Sequence, residues 1–496
     1  MERFDNRPML NAYPDSVGSK LGDMVELLKR PELAGTFSSF YVLPSLYHSD
    51  LDRGFCVIDY DLNEELATQT DLDALREMGI DLKLDFVMNH MSVQSPQFQD
   101  LIEKGEASDY RDFFIDWNRF WEGKGEMTEE GYIQPDQKYI ADMFFRKPGL
   151  PILMVQFPDG REVPYWNTFY QKVWEEDGKR RYLGQMDVDI KCDKVWEFYR
   201  ETLAKLAGYG AQIVRLDAFA YAPKEAGARN FMNEPGTWDL LEQVNEIARE
   251  HGLMLLPEIH AAYAEKTYRT IAEKGYVTYD FFLPGLIIDA MENHTGEYLK
   301  QWAEELVRED IRTVNMLGCH DGIPLLDLKG LLPEERIQGL IDTVVGRGGY
   351  VKDLHGAKNM YYQVNATYFS ALGENAQKML LARAIQLFMP GKPQVWYLDL
   401  LAGTNDYEAM KRAGEGGHKE INRSNLSLEE AEKRLARPLV QDQISLLRMR
   451  KEDPAFGPDA EMAFSVDGCR MSITWTCGEH HKTLIADLEN YGFLIV

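Results

Sequence analysis

Short apolar runs rich in β-branched and aromatic residues alternate along this chain with stretches whose apolar residues recur every three or four positions. The runs PMLNAYPD, FSSFYVLPSL and DLKLDFVMNH are separated by the helix-like GDMVELLKR and TDLDALREMG. After a long irregular interval the alternation resumes. AQIVRLDAFA, LMLLPEIHAA, VTYDFFLPGL, TVNMLGCHDG and KPQVWYLDLL read as strands, with helices such as KVWEFYRETLAKLAGYG and PGTWDLLEQVNEIAREHG between them. Eight continuous apolar strands separated by helices predict an α/β fold, a closed (β/α)8 TIM barrel rather than an open doubly wound sheet. No G-x-G-x-x-G and no phosphate-loop motif favours nucleotide binding.

The interruptions predict the domain plan. Residues 1–90, 191–321 and 373–450 form the barrel. Residues 91–190, rich in Trp, Phe, Tyr, Gly and charge, are too long for an ordinary βα loop and form an inserted domain. Residues 322–372, with Gly346, Gly348, Gly349 and a Tyr-rich stretch, form a loop subdomain expected to carry mobile loops over a pocket. Residues 451–496, with RMSITWT and KTLIADL, form a small C-terminal β-domain.

Composition then limits the function. Apolar residues at 45% and charged residues at 27% can build a substantial core, which excludes disorder. With 54 Lys+Arg against 81 Asp+Glu the net charge is −27, so nucleic acid and anionic membrane surfaces are excluded as partners. Any phosphate used as substrate must meet a local cationic pocket. The five cysteines are scattered and carry no C-x-x-C pair, which predicts reduced thiols. The first residues lack an apolar signal region and no run of apolar residues is long enough to span a membrane, so a soluble cytoplasmic protein is expected.

Barrel chemistry sits at the carboxyl ends of strands. Asp52 after the second strand, Asp217 in IVRLDAFA, Glu258 in LLPEIHAA and Asp321 in LGCHDG are acids in such places. Each taken singly also has a structural reading: Asp217 paired with Arg215, Glu258 as a cap or salt-bridge acid, Asp321 as a turn former before Gly322. Together they suit retaining glycosyl transfer, in which one carboxylate attacks the anomeric carbon and another protonates the leaving oxygen. Arg215, two residues before Asp217, points to the same face and keeps the nucleophile ionised. Desolvation beside Pro257 would raise the pKa of Glu258 and hold its proton. His90 and His320 offer donors for sugar hydroxyls. No H-x-x-x-H or H-E-x-x-H spacing supports a metal.

DRGFCVIDY, FVMNHMS, VRLDAFAYAPKEAG, PEIH, CHDGI, YQVNATYFSALG and INR resemble, in order and spacing, the sucrose phosphorylases of the α-amylase superfamily (glycoside hydrolase family 13) across nearly the whole chain. The resemblance implies Asp217 as nucleophile, Glu258 as general acid/base and Asp321 as transition-state stabiliser. It implies a glucose subsite of Asp52, Phe55, His90, Arg215, Tyr221, His320, Gln363 and Arg423. It implies a phosphate or acceptor site of Arg146 and Lys147 in MFFRKPGLP with Tyr362, and it implies no metal or organic cofactor.

The expected reaction is phosphorolysis of sucrose or sucrose 6-phosphate to α-glucose 1-phosphate, with sucrose as the leading donor. Glucosylglycerol or glucosylglycerate phosphorolysis and amylase-like hydrolysis or transglucosylation are the alternatives. Partners are small molecules only, and a homodimer is compatible with the sequence. Departures from the family pattern are Arg146 and Lys147 where proline and arginine are usual, which resembles the sucrose 6-phosphate branch, whereas that branch shows histidine at Tyr362. An insertion at 175–184 brings Lys179, Arg180 and Arg181, candidates for the acceptor phosphate, and Ser424 replaces a usual histidine.

Overall fold

In the computed structural model, which describes residues 5–146, 149–351, 363–414 and 417–496, each of the eight predicted runs contains a strand. They are β1 (Met9–Ala12), β2 (Ser39–Val42), β3 (Asp81–Val87), β4 (Ala211–Asp217), β5 (Met254–Pro257), β6 (Thr278–Asp280), β7 (Thr313–Met316) and β8 (Lys392–Trp396). Their order in one sheet is β5-β4-β3-β2-β1-β8-β7-β6. The two end strands are sequence neighbours, so the sheet is a nearly closed eight-stranded barrel. Several predicted runs stop early as strands. VTYDFFLPGL turns after Asp280, whose Oδ1 accepts from the backbone N–H of Phe282 (3.2 Å) and Leu283 (2.9 Å) and so starts the helix Leu283–Glu292.

The chain divides into two compact units, one of Met1–Val42, Thr70–Leu82 and Ile259–Val496, the other of Leu43–Gln69 and Lys83–Glu258. In the first unit, helices Leu283–Glu292, Glu297–Arg308 and Ala376–Phe388 share one apolar core with the C-terminal strands. Those strands, Glu461–Asp467, Arg470–Cys477, His480–Asp487 and Phe493–Ile495, form an antiparallel sheet. Trp475 anchors the sheet by donating Nε1–H to the Phe388 carbonyl (2.7 Å). The stretch expected to be loops between 322 and 372 contains a helix, Glu334–Gly346. Acids in its first turn and buried Ile337, Leu340 and Val344 at helical spacing explain it, and they outweigh the glycines that follow.

In the second unit, residues 91–190 carry short helices and three hairpins around a small cluster of Ile115, Trp117, Trp121, Ile133 and Trp166. The outermost hairpin pairs Gln171–Glu176 with Lys179–Asp187, and the latter pairs on its other side with His90–Ser92. No described helix is long and apolar enough to cross a membrane.

Candidate active site

β4 and β5 are parallel neighbours in a register that sets Leu216 beside Pro257, so the next residues, Asp217 and Glu258, leave the barrel side by side. Alternation along β4 puts Arg215 on the face of Asp217. The Arg215 guanidinium, 3% exposed, donates Nη1–H to Asp85 Oδ1 (2.6 Å) and Asp217 Oδ1 (2.8 Å), and its Nη2 lies 3.0 Å from Glu258 Oε1. One cation thus gathers three carboxylates. Asp85 is buried completely within β3, while Asp217 and Glu258 keep 14% and 13% of their side chains open. The buried acid is the structural partner, and the two partly open ones keep side-chain surface beside the same guanidinium. Arg215 was expected to serve Asp217 alone. It holds Glu258 as well, by a charge-assisted contact that apolar neighbours alone would not supply.

Aromatic side chains form one wall. The Phe55 ring lies against the Arg215 guanidinium at 5.5 Å. Phe55 follows a turn in which Asp52, Arg53 and Gly54 all have positive φ (46°, 48° and 114°). A Cβ on Gly54 would stand 2.1 Å from the Ser45 nitrogen, so only glycine fits there. Asp52 is therefore not at the end of β2, which stops at Val42. It sits exposed in this turn after a second short strand, Tyr47–Leu51. His90 Nε2–H donates to the Phe55 carbonyl (2.9 Å), its Nδ1 accepts from Asn89 Nδ2 (3.3 Å), and burial pushes its pKa down. The Asn89 amide nitrogen beside Nδ1 favours the tautomer protonated on Nε2, and Gln185 Nε2 lies 3.0 Å from that same Nε2. Phe169 packs on His90 (4.9 Å) and on Tyr221 (5.3 Å). Arg146 reaches into this wall: Nη1–H donates to Tyr221 Oη (2.9 Å), and the guanidinium lies 5.1 Å from the Phe169 ring.

Behind the wall lies a buried ion pair that sequence reading missed. Lys224 Nζ is 2.7 Å from Asp187 Oδ2, with side-chain exposures of 2% and 0%. The ammonium also donates to Asn89 Oδ1 (2.9 Å) and the Tyr221 carbonyl (2.7 Å). Asp187 accepts from Asn89 Nδ2 (3.0 Å), the Thr168 N–H (2.8 Å) and Thr168 Oγ1–H (2.6 Å). With its oxygen fixed by Lys224, the Asn89 amide must present nitrogen to His90.

In the first unit, Asp321 Oδ2 lies 3.2 Å from His320 Nε2, and Asp321 Oδ1 lies 2.7 Å from Lys419 Nζ and 3.5 Å from Arg423 Nη2. Burial raises the Asp321 pKa, but His320, Lys419 and Arg423 outweigh it and hold the carboxyl well below its ordinary value. Arg423 is fixed by donating Nε–H to the His320 carbonyl (2.7 Å), and Asn365 Nδ2 donates to the Asp321 carbonyl (2.8 Å). Cys319, His320 and Asp321 bring three ligand-type atoms within 4.8 Å of one another. Two basic side chains already face the same carboxylate oxygen, so this trio does not suit a metal cation. Gln363 Nε2 lies 3.4 Å from His260 Nε2, and the His260 ring stacks on Phe281 at 3.9 Å.

Lys147 and Tyr362 lie outside the described residues. Arg180 pairs with Glu162, and Arg181 lies 3.5 Å from Glu176, so two of the insertion's three cations already face acids of their own subdomain, while Lys179 is exposed at the start of its strand. Ser424 donates Oγ–H to Asp406 Oδ2 (3.0 Å). Among the residues missed by sequence reading, Asp85 had a signal, an acid near the end of the strand run LKLDFV, whose other residues apart from Lys83 are apolar. Phe169, Asp187, Lys224 and Lys419 show theirs only through partners distant in the chain.

The α-amylase catalytic-domain family matches residues 15–321. A sucrose 6(F)-phosphate phosphorylase of Ilumatobacter coccineus is 55% identical over 99% of this chain and 95% of its own length. One from Thermoanaerobacterium thermosaccharolyticum is 34% identical over 98% of this chain and 96% of its own. The crystal structure of a sucrose 6F-phosphate phosphorylase from Thermoanaerobacter thermosaccharolyticum superposes with a TM-score of 0.89 at 33% identity, covering 99% of this chain and 95% of that one.

Proposed function

The chain belongs to the sucrose phosphorylase family of the α-amylase superfamily, and from that membership we propose that it is a retaining α-glucosyl phosphorylase acting on sucrose 6F-phosphate. The proposed reaction converts this donor and inorganic phosphate to α-glucose 1-phosphate and fructose 6-phosphate. The single observation that carries the chemistry is the shared grip of Arg215 on Asp217 and Glu258.

The reaction runs in two displacements. In the first, Asp217 attacks the anomeric carbon, the bond to the fructosyl oxygen breaks, and Glu258 gives that oxygen a proton. In the second, a phosphate oxygen attacks the same carbon, the Asp217 ester breaks, and Glu258 takes the phosphate's proton. Two inversions leave the α configuration. Arg215 keeps Asp217 anionic before attack, and Asp85 neutralises the remaining reach of the guanidinium. Asp321, held ionised by its basic neighbours, is the proposed stabiliser of the oxocarbenium-like transition state.

The choice of donor rests on two supports. Relatives at 55% and 34% identity carry the phosphorylated donor in their names, which moves the preference away from sucrose itself. Arg146 sits on the Tyr221–Phe169 wall, and a guanidinium there offers a bidentate partner to a fructosyl phosphate in a chain whose overall charge repels anions. Release of α-glucose 1-phosphate from sucrose 6F-phosphate, sucrose and glucosylglycerol, compared side by side in wild type and Arg146→Ala, tests the reading. Preferential loss on the phosphorylated donor is expected. Equal loss on all three would refute the role of Arg146, and absence of glucose 1-phosphate from every donor would refute phosphorolysis.

A further inference from the structure

The run KPQVWYLDLL holds an acid that the proposed mechanism does not use. β8 ends at Trp396, and Asp399 follows in the short helix Tyr397–Leu400 with no exposed surface. β7 and β8 are parallel neighbours with Met316 beside Gln394, so Gly318–Asp321 leaves the barrel next to the turn that carries Asp399. An acid just past a barrel strand stands where reactive groups sit, but a carboxyl without surface touches no substrate. It touches backbone instead. Asp399 Oδ2 accepts from the Gly318 N–H (3.0 Å) and Oδ1 from the Tyr368 N–H (3.1 Å).

Both bonds lead to Asp321. Beyond the end of β7, side chains hold the carbonyls of the segment: Asn422 Nδ2 donates to those of Cys319 (3.0 Å) and His320 (3.3 Å), Arg423 Nε–H to that of His320 (2.7 Å), and Asn365 Nδ2 to that of Asp321 (2.8 Å). Asp399 takes the N–H at the root of the segment. Its second bond fixes Tyr368, three residues after the Asn365 that holds the Asp321 carbonyl. A Cβ on Gly318 would stand 2.7 Å from Asp399 Oδ2, so glycine is what lets the backbone come this close. Burial raises the Asp399 pKa to about 6 against the pull of Arg383, so at neutral pH the group is ionised and both oxygens accept. Gln443 ties the two together, accepting from Arg383 Nε–H (3.0 Å) and donating to the Asp399 carbonyl (3.3 Å).

We propose that Asp399 is a positioning residue for the reaction: by gripping the Gly318 and Tyr368 amides with its two oxygens it sets the place of the Asp321 carboxylate without touching substrate. The inference rests on the proposed phosphorolysis, in which Asp321 stabilises the transition state. Asparagine has the same shape but one acceptor oxygen, and its amide nitrogen would face an N–H, so one of the two bonds must be lost. A displaced Asp321 then loses transition-state stabilisation more than donor binding.

Kinetics of Asp399→Asn at neutral pH test this, with Gly318→Ala pressing on the same oxygen from the backbone side. The control is Asp289→Asn, which alters a buried acid of the same unit whose bonds go to Arg336 and Asn293. For Asp399→Asn, kcat/KM is expected to fall by at least about tenfold while donor KM stays within about threefold. The inhibition constant of a cationic iminosugar, which carries the charge of the transition state, is expected to rise by a similar factor. Gly318→Ala is expected to repeat the effect, and Asp289→Asn to leave both constants unchanged. A mere loss of folded enzyme lowers kcat but leaves the inhibition constant where it was. Hydrogen exchange, which needs no turnover, is expected to quicken in Asp399→Asn at Gly318–Asp321 and Asn365–Tyr368. An unchanged inhibition constant, unchanged exchange in both segments, or an Asp289→Asn that matches Asp399→Asn would overturn the proposal. A wild type that releases no glucose 1-phosphate would sink the reaction instead, with exchange still deciding whether Asp399 holds the segment.

Discussion

Replacing Lys224 with methionine removes an ammonium that is 2% exposed and has three oxygen partners at 2.7 to 2.9 Å. The side-chain volume is nearly kept, so the cost is electrostatic. Asp187, with no exposed surface, would keep its bonds from Thr168 and Asn89 but lose its counter-charge. Removing one partner of a buried pair costs about 3–5 kcal/mol. The damage also reaches the site, because Asn89 loses the donor that fixes its oxygen and with it the orientation that sets the His90 tautomer. Urea unfolding followed by tryptophan fluorescence reads the stability, and kcat/KM for phosphorolysis reads the site. The double variant Lys224→Met/Asp187→Asn removes both charges and is expected to recover most of the lost stability. A single variant costing less than about 1 kcal/mol, the range of an exposed pair, would refute the reasoning, as would a double variant whose losses simply add.

Arg215→Lys keeps the charge but not the fork, and one ammonium cannot hold Asp217 and Glu258 from two nitrogens. A fall in kcat of about 100-fold is expected from misplacement of the order of an ångström, with the fold intact by circular dichroism; an unchanged kcat would contradict it. Gly54→Ala pushes the turn that carries Asp52 and Phe55 off the Ser45 backbone, so KM for the donor is expected to rise more than kcat falls; an unaltered KM would show that the turn does not shape the subsite. Asp399 is fully buried, and burial lifts its pKa from 3.8 to about 6. The folded state therefore holds this proton more tightly than the unfolded chain, and the stabilisation is present below about pH 4 and lost as pH rises to about 6, up to about 3 kcal/mol in all. Relative to Asp399→Asn, wild type is expected to lose about that much unfolding free energy across this window, and a pH-independent difference between the two would contradict it.

The barrel was legible because strands buried on both faces leave continuous apolar runs, and all eight such runs contain strands. The acids at the ends of β4 and β5 were legible because a carboxylate ending an apolar run needs an explanation other than packing. The helix Glu334–Gly346 was obscured by the glycines beside it. The support of the site was hidden for a different reason: Asp85 meets Arg215 across 130 positions and Lys224 meets Asn89 across 135, and composition or spacing carries no trace of such pairs. Lys224 stood in view within the KEAG motif, but its function is defined only by the oxygens that surround it.

The most direct test of the double displacement is to trap its intermediate. In Glu258→Gln, an α-glucosyl fluoride can glycosylate the enzyme without a proton from the acid, while attack by phosphate lacks its base. Mass spectrometry of the quenched protein should find one added glucosyl unit, and peptide mapping should locate it on Asp217. Label on any other residue, no adduct together with full turnover, or β-glucose 1-phosphate as the wild-type product would contradict the account.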